Sequence, residues 1–121
     1  GEVDLDFDRL KEIKEKVDVP IVLHGSSAVY PDTVKKCERY GAKLSGAKGT
    51  SDEDIKKAIS AGIRKVNIGT DQHLAFTSAV REVLSEDPET YVIRNVLGPS
   101  REAMKELVMH KMEVFGSAGK A

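Results

Sequence analysis

A histidine that closes a short apolar run, followed by a glycine and two serines, is the first place in this 121-residue chain where chemistry could gather. In Leu23-His24-Gly25-Ser26-Ser27 the imidazole of His24 could bind a metal through a neutral ring nitrogen. Gly25 lets the backbone approach a ligand closely, while Ser26 and Ser27 add hydroxyls and N–H groups that suit an anion. The plainer alternative is a strand-to-helix turn of small residues around a packed histidine. The second place is Val66-Asn67-Ile68-Gly69-Thr70-Asp71. Asn67 can offer a donor and an acceptor to a carbonyl or hydroxyl. Gly69 and Thr70 stand just before a helix, whose first-turn N–H groups and dipole favour a phosphate. Simple capping of that helix by Thr70 or Asp71 is the alternative here. Two successive strand ends with small, donor-rich loops favour one shared anion site over coincidence.

Other residues of reactive type are less well placed. His73, one turn into a helix, could face the site or solvent, and His110 beside Lys111 reads as part of a solvated face. Cys37, on a helix beside Lys36 and Glu38, has no partner for catalysis in the sequence and reads as structural. Lys43 and Lys48 flank a glycine-rich stretch and read as solvated. Arg94 falls in an irregular connection between helices, where it becomes an anion ligand only if the chain folds back or a second subunit supplies it.

The elements that must position these groups follow from periodicity and punctuation. Asp6 caps a first helix that aligns Phe7, Leu10, Ile13 and Val17 on one face. Pro20 introduces the run Ile21-Val22-Leu23, which ends at Gly25 and reads as a strand buried on both faces, as in a parallel sheet. Pro31 and Asp32 open a second helix that Gly41 closes, and Gly41 to Gly49 forms a loop. Ser51-Asp52-Glu53-Asp54 resembles a capping box ahead of Ile55, Ala58 and Ile59, with Gly62 past the helix end. Ile63 to Ile68 is the second strand. A longer helix runs to Leu84, Asp87-Pro88 breaks the chain, and Gly98-Pro99-Ser100 opens the last helix with Met104, Leu107 and Val108 for burial. The order is helix, strand, helix, helix, strand, helix, helix, an α/β pattern that implies a parallel sheet. Two such strands cannot cover themselves, so the expectation is that residues 1–121 form a segment of one larger domain, with partner strands elsewhere in the chain or in another copy.

Composition sets the outer limits. The chain is 40% hydrophobic and 32% charged, with 19 Lys+Arg against 20 Asp+Glu and a net charge of −1. That balance gives no basic excess for nucleic acid and no acidic tail for a basic partner. No apolar run is long enough to span a bilayer, and the first residues lack a secretory pattern. A single cysteine rules out an internal disulfide and fits a reducing compartment, so a cytoplasmic location is expected.

At this level of detail the residues match a known family. Pro20 to Ser27 and Lys65 to Asp71 resemble the two C-terminal strand motifs of class II, zinc-dependent fructose-bisphosphate aldolases. The resemblance continues through Leu74-Ala75-Phe76, Arg81-Glu82-Val83-Leu84, Leu97-Gly98-Pro99 with Arg101-Glu102, and His110-Lys111. It implies the C-terminal part of a (β/α)8 TIM barrel: the last two strands, their helices and a C-terminal helical extension. It further implies His24 as a Zn2+ ligand and Gly25, Ser26 and Ser27 as a loop holding the phosphate of dihydroxyacetone phosphate. Asn67, Ile68, Gly69 and Thr70 then form a second substrate loop, with Asn67 at the ketone end and Gly69 and Thr70 at the phosphate. Arg94 matches an arginine that reaches the distal phosphate from a neighbouring subunit, which implies a homo-oligomer. Gly69 stands where many relatives carry Asp and tagatose-bisphosphate enzymes often carry Ala, and His73 stands where many carry Arg; both bear on which ketose bisphosphate is used. The implied reaction is reversible aldol cleavage of fructose 1,6-bisphosphate to dihydroxyacetone phosphate and glyceraldehyde 3-phosphate. The resemblance places no acid/base residue and no further metal ligand within this segment, so the 121 residues alone are expected to be inactive. A tagatose-bisphosphate aldolase, a non-catalytic half-barrel and a phosphate-binding barrel isomerase are the competing readings.

Overall fold

The computed structural model describes residues 4–44, 46 and 48–120. Positions 45 and 47 of the expected glycine-rich loop, and the ends of the chain at 1–3 and 121, lie outside the described residues. Among the described residues seven elements follow in the expected order: α1 (Phe7–Lys16), β1 (Ile21–Leu23), α2 (Pro31–Arg39), α3 (Asp52–Ser60), β2 (Ile63–Val66), α4 (Thr70–Glu86) and α5 (Ile93–Val114). Local chemistry sets most of the boundaries. The Asp6 carboxylate accepts the Arg9 N–H at 2.8 Å to start α1, and the Ser51 hydroxyl accepts the Asp54 N–H at 3.1 Å to start α3. Pro31 opens α2 at a position where no intrahelical N–H is needed.

β1 and β2 pair in parallel, Ile21 opposite Ile63 and Leu23 opposite Val66. Their burial departs from expectation. Of the strand residues only Ile63 is buried, and Val22 is 39% exposed. A sheet of two strands is nearly all edge, so side chains that a wider sheet would enclose stand open. The apolar face of α1 is likewise uncovered: none of its residues is buried, and Ile13 and Val17 are exposed. The core lies instead among the later helices, where α4 packs against α5 and α2, and α3 against β2 and α5. Cys37, Ile55, Ala58, Ile63, Leu74, Ala75, Ala79 and Val114 fill it.

The last helix starts earlier than the sequence predicts. α5 begins at Ile93 and passes through Gly98-Pro99 instead of opening there. Proline disfavours the helical conformation in the residue before it because its ring meets that residue's Cβ. Gly98 has no Cβ, which relieves this clash, and the Ser100 hydroxyl donates to the Val96 carbonyl at 3.2 Å within the same turn. Arg94 therefore sits in the first turn of a helix and not in an irregular connection.

The C-terminal half of α5 separates two neighbours. His110 is exposed, as on the solvated face expected of it, while the adjacent Lys111 is 1% exposed. Its amino group donates to Asp52 at 2.9 Å and lies over the Tyr30 ring at 4.9 Å from the centroid. The Tyr30 hydroxyl donates to the same carboxylate at 2.9 Å, and His110 Nε2 meets it at 2.7 Å. One carboxylate thus ties the segment before α2, the start of α3 and the end of α5 together. Burial opposes the charge on Asp52, but the hydrogen bonds from Lys111, His110 and Tyr30 outweigh it and hold the carboxyl below its ordinary value. Burial and the neighbouring carboxylate push the Tyr30 phenol upward.

Two stability predictions follow from these contacts. A Cβ at Gly49 would lie 2.3 Å from the Val29 nitrogen and 2.6 Å from the Ser27 carbonyl oxygen, both backbone atoms that cannot swing aside. Gly49→Ala is expected to lower the urea unfolding free energy by about 1–3 kcal/mol; an unchanged midpoint would refute the close approach. Asp52 stays ionised in the fold at pH values where it takes a proton in the unfolded chain. Its contribution is therefore complete above the ordinary Asp value of about 3.9 and is lost as pH falls through the lower folded value. Urea midpoints should drop across that acid range, and Asp52→Asn should flatten the drop while lowering stability at neutral pH.

Candidate functional site

The parallel register carries the two strand ends to the same edge. Beyond the last paired residues, the Asn67 N–H donates to the Leu23 carbonyl at 2.9 Å, so His24 and Asn67 emerge side by side. The Asn67 amide nitrogen lies 3.2 Å from His24 Nδ1 and 3.1 Å from Nε2. Near-equal distances put the amide over the ring, since a position in the ring plane would overlap Cε1. The in-plane lone pair of the imidazole thus stays clear of Asn67. Lys65 donates from Nζ to Asn67 Oδ1 at 2.9 Å, which fixes the amide with its nitrogen toward the histidine. Lys65 was not singled out from the sequence; its place two residues before Asn67 on one face of an extended chain was the available signal.

Gly25 turns the chain with φ of +66°, a conformation that suits glycine. The turn sends the two serines inward. Ser26 is buried and donates from Oγ to the His24 carbonyl at 3.3 Å. Ser27 Oγ accepts the N–H groups of Gly69 at 2.8 Å and Thr70 at 3.0 Å. Gly69, the N-cap residue of α4, has no side chain to do this, and neither Thr70 nor Asp71 caps the helix as expected. The start of α4 is capped from another loop. Two N–H groups at the helix start therefore converge on one oxygen position, held here by Ser27 Oγ, beside the end of β2, the arrangement that binds a phosphate oxygen at other helix N-termini. Ile68 lies half-buried between Asn67 and this cap.

Of the sequence candidates, the structure groups His24, Gly25, Ser26, Ser27, Asn67, Gly69 and Thr70. Arg94 is outside the group: its side chain lines a groove between α4 and α5 with Phe76, Leu97, Gly98, Arg101 and Met104. His73 is exposed on α4. Cys37 is buried, its thiol pushed upward by desolvation, in keeping with a structural role. Among the described residues no group of three or more His, Cys, Asp or Glu side chains could hold a metal ion. His24 supplies a single nitrogen donor, so the residues present do not make a metal centre by themselves. No described helix is long and apolar enough to cross a membrane.

The family model described as "Fructose-bisphosphate aldolase class-II" matches residues 1–44 and 43–120. The chain belongs to this family. Among curated relatives, the fructose-bisphosphate aldolase of Thermus caldophilus is 49% identical over 117 residues, covering 97% of this chain and 38% of that protein. The one from Treponema pallidum is 44% identical over 119 residues, covering 97% of this chain and 36% of its own length. A crystal structure of the YdjI aldolase from Escherichia coli K12 superposes with a TM-score of 0.65 at 32% identity, over 97% of this chain and 35% of that one. The chain thus spans a little over a third of the length of the aldolases it matches.

The cap predicts its own loss. Ser27→Ala should cost about 1 kcal/mol in urea unfolding, as removal of an N-cap hydroxyl does, and should speed hydrogen exchange at the Gly69 and Thr70 amides. Unchanged exchange at both amides would show that Ser27 does not hold them.

Proposed function

We propose that these residues form the C-terminal segment of a (β/α)8 barrel, 1–121 as part of one domain, in a class II ketose-bisphosphate aldolase. The observation that supports this most is the convergence of the Gly69 and Thr70 N–H groups on one oxygen position beside His24. The coverage of little more than a third of the aldolase relatives, together with two strands that remain open, supports a barrel completed by further strands.

In this reading the segment binds and orients dihydroxyacetone phosphate. The loop Gly25-Ser26-Ser27 and the N–H groups of Gly69 and Thr70 anchor its phosphate, with the Ser27 hydroxyl yielding its place to a phosphate oxygen. Anchoring fixes the reacting carbon and supplies the positional part of the rate. Asn67, held by Lys65, presents its amide toward the ketone end of the substrate. Ile68 forms the backbone link between these two contacts. His24 serves as one ligand of a zinc site, which needs three protein ligands and an open position. Arg94 contributes to a distal phosphate across a subunit boundary of a homo-oligomer. The whole enzyme cleaves fructose 1,6-bisphosphate reversibly to dihydroxyacetone phosphate and glyceraldehyde 3-phosphate. In this reading the acid/base group and the remaining zinc ligands come from outside residues 1–121, and the segment alone is inactive.

The reading is tested on the intact protein by zinc analysis and a coupled cleavage assay. His24→Ala is expected to lose bound zinc and with it the cleavage of fructose 1,6-bisphosphate. Zinc content equal to that of the unaltered protein would remove His24 from the ligand set. Turnover by residues 1–121 alone would overturn the assignment of this segment to anchoring.

A further inference from the structure

Asp71 is the unexpected neighbour of the anion cradle. It follows Thr70 directly, is 2% exposed, and carries its carboxylate in the first turn of α4. One oxygen accepts the Gln72 N–H at 3.0 Å. The other, Oδ2, has no hydrogen-bond donor among the described residues. A helix N-terminus acts as about half a positive charge, so a bare carboxylate at this point would cancel the attraction that draws a phosphate there. The one ion pair Asp71 makes among the described residues is with Lys111, whose amino group is 3.7 Å from Oδ2. Lys111 is also buried. Its other partner, Asp52, accepts from Tyr30 and faces His110 as well. Lys111 therefore stands between two carboxylates, hydrogen-bonded to Asp52 at 2.9 Å and facing Asp71 at 3.7 Å, and its field reaches both.

We propose that Lys111 is a positioning residue that acts through charge: it neutralises Asp71, so that the N-terminus of α4 stays receptive to phosphate. The proposal rests on reading that N-terminus as the phosphate site. It assigns the far end of α5 a part in substrate binding, through Asp71, the carboxylate next to the cradle residue Thr70.

The deciding experiment is a titration of the protein with inorganic phosphate, followed through the amide NMR signals of Gly69 and Thr70, with circular dichroism to monitor folding. Asp71→Asn keeps the shape and removes the charge; it is expected to tighten phosphate binding by about tenfold. Lys111→Met is expected to weaken binding by a similar factor, Lys111→Arg to retain it, and the double variant Lys111→Met with Asp71→Asn to return toward the unaltered affinity. A purely structural ion pair would instead make both single variants bind more weakly. Phosphate affinity in Asp71→Asn that is unchanged or weaker overturns the proposal, even if Lys111→Met fails to fold. Amides in the unaltered protein that do not respond to phosphate overturn both the proposal and the phosphate-site reading. Amides that respond while the variants fail to follow this order overturn the charge role of Lys111 alone.

Discussion

The parallel pairing of β1 with β2 is the constraint on which the site depends. His24 and Asn67 are 43 residues apart in the chain, and so are Ser27 and Thr70. They meet because Leu23 stands opposite Val66 and the ladder runs one residue further, to Asn67. Side chains alternate in direction along a strand, so a slip of one residue would send Asn67 away from the imidazole and part the serine loop from the start of α4. The meeting of His24 with Asn67 and of Ser27 with the start of α4 follows from where two short strands stop. That such short strands hold this register reflects the support of the loop: the Thr50 N–H donates to the Ser27 carbonyl at 3.2 Å, with Gly49 fitted closely against the same backbone.

Much of this arrangement could be read from residue order alone, and the limits are instructive. Caps at Asp6 and Ser51 were legible because the donor and acceptor lie three residues apart. The cap of α4 was not, because its acceptor Ser27 lies 42 residues before Gly69; local chemistry offered Thr70 and Asp71 instead. The run Ile21-Val22-Leu23 carried the composition of an enclosed strand, which the two-stranded sheet does not enclose. The burial of Lys111 left a trace of its own in the sequence. Lys111 shares the spacing of Ser100, Met104, Leu107 and Val114, the inward stripe of α5, and a lysine on such a stripe calls for a buried partner. That signal was present in the periodicity, but naming the partner required the fold.

The buried cluster around Asp52 illustrates how little a buried ion pair says about net stability. Taking Lys111, Asp52 and Asp71 out of water costs several kcal/mol per charge. Hydrogen bonds from Tyr30 and Lys111 and the contact with His110 offset that cost at Asp52. At Asp71 the compensation is poorer, since Oδ2 faces Lys111 beyond hydrogen-bond distance. An apolar trio could pack the same space, but it would leave nothing that responds to charge beside the helix start.

The place of Lys111 along the chain also bears on how the molecule is made. Synthesis proceeds from the N-terminus, so Asp52 and Asp71 leave the ribosome before the lysine that compensates them. Forty residues separate Asp71 from Lys111, a delay on the order of seconds at usual rates of elongation. During that interval the two carboxylates cannot both be buried at low cost, and the packing of α3 and α4 stays provisional. The arrival of α5 brings the counter-ion, and with it the moment at which the packing of α3 and α4 can close.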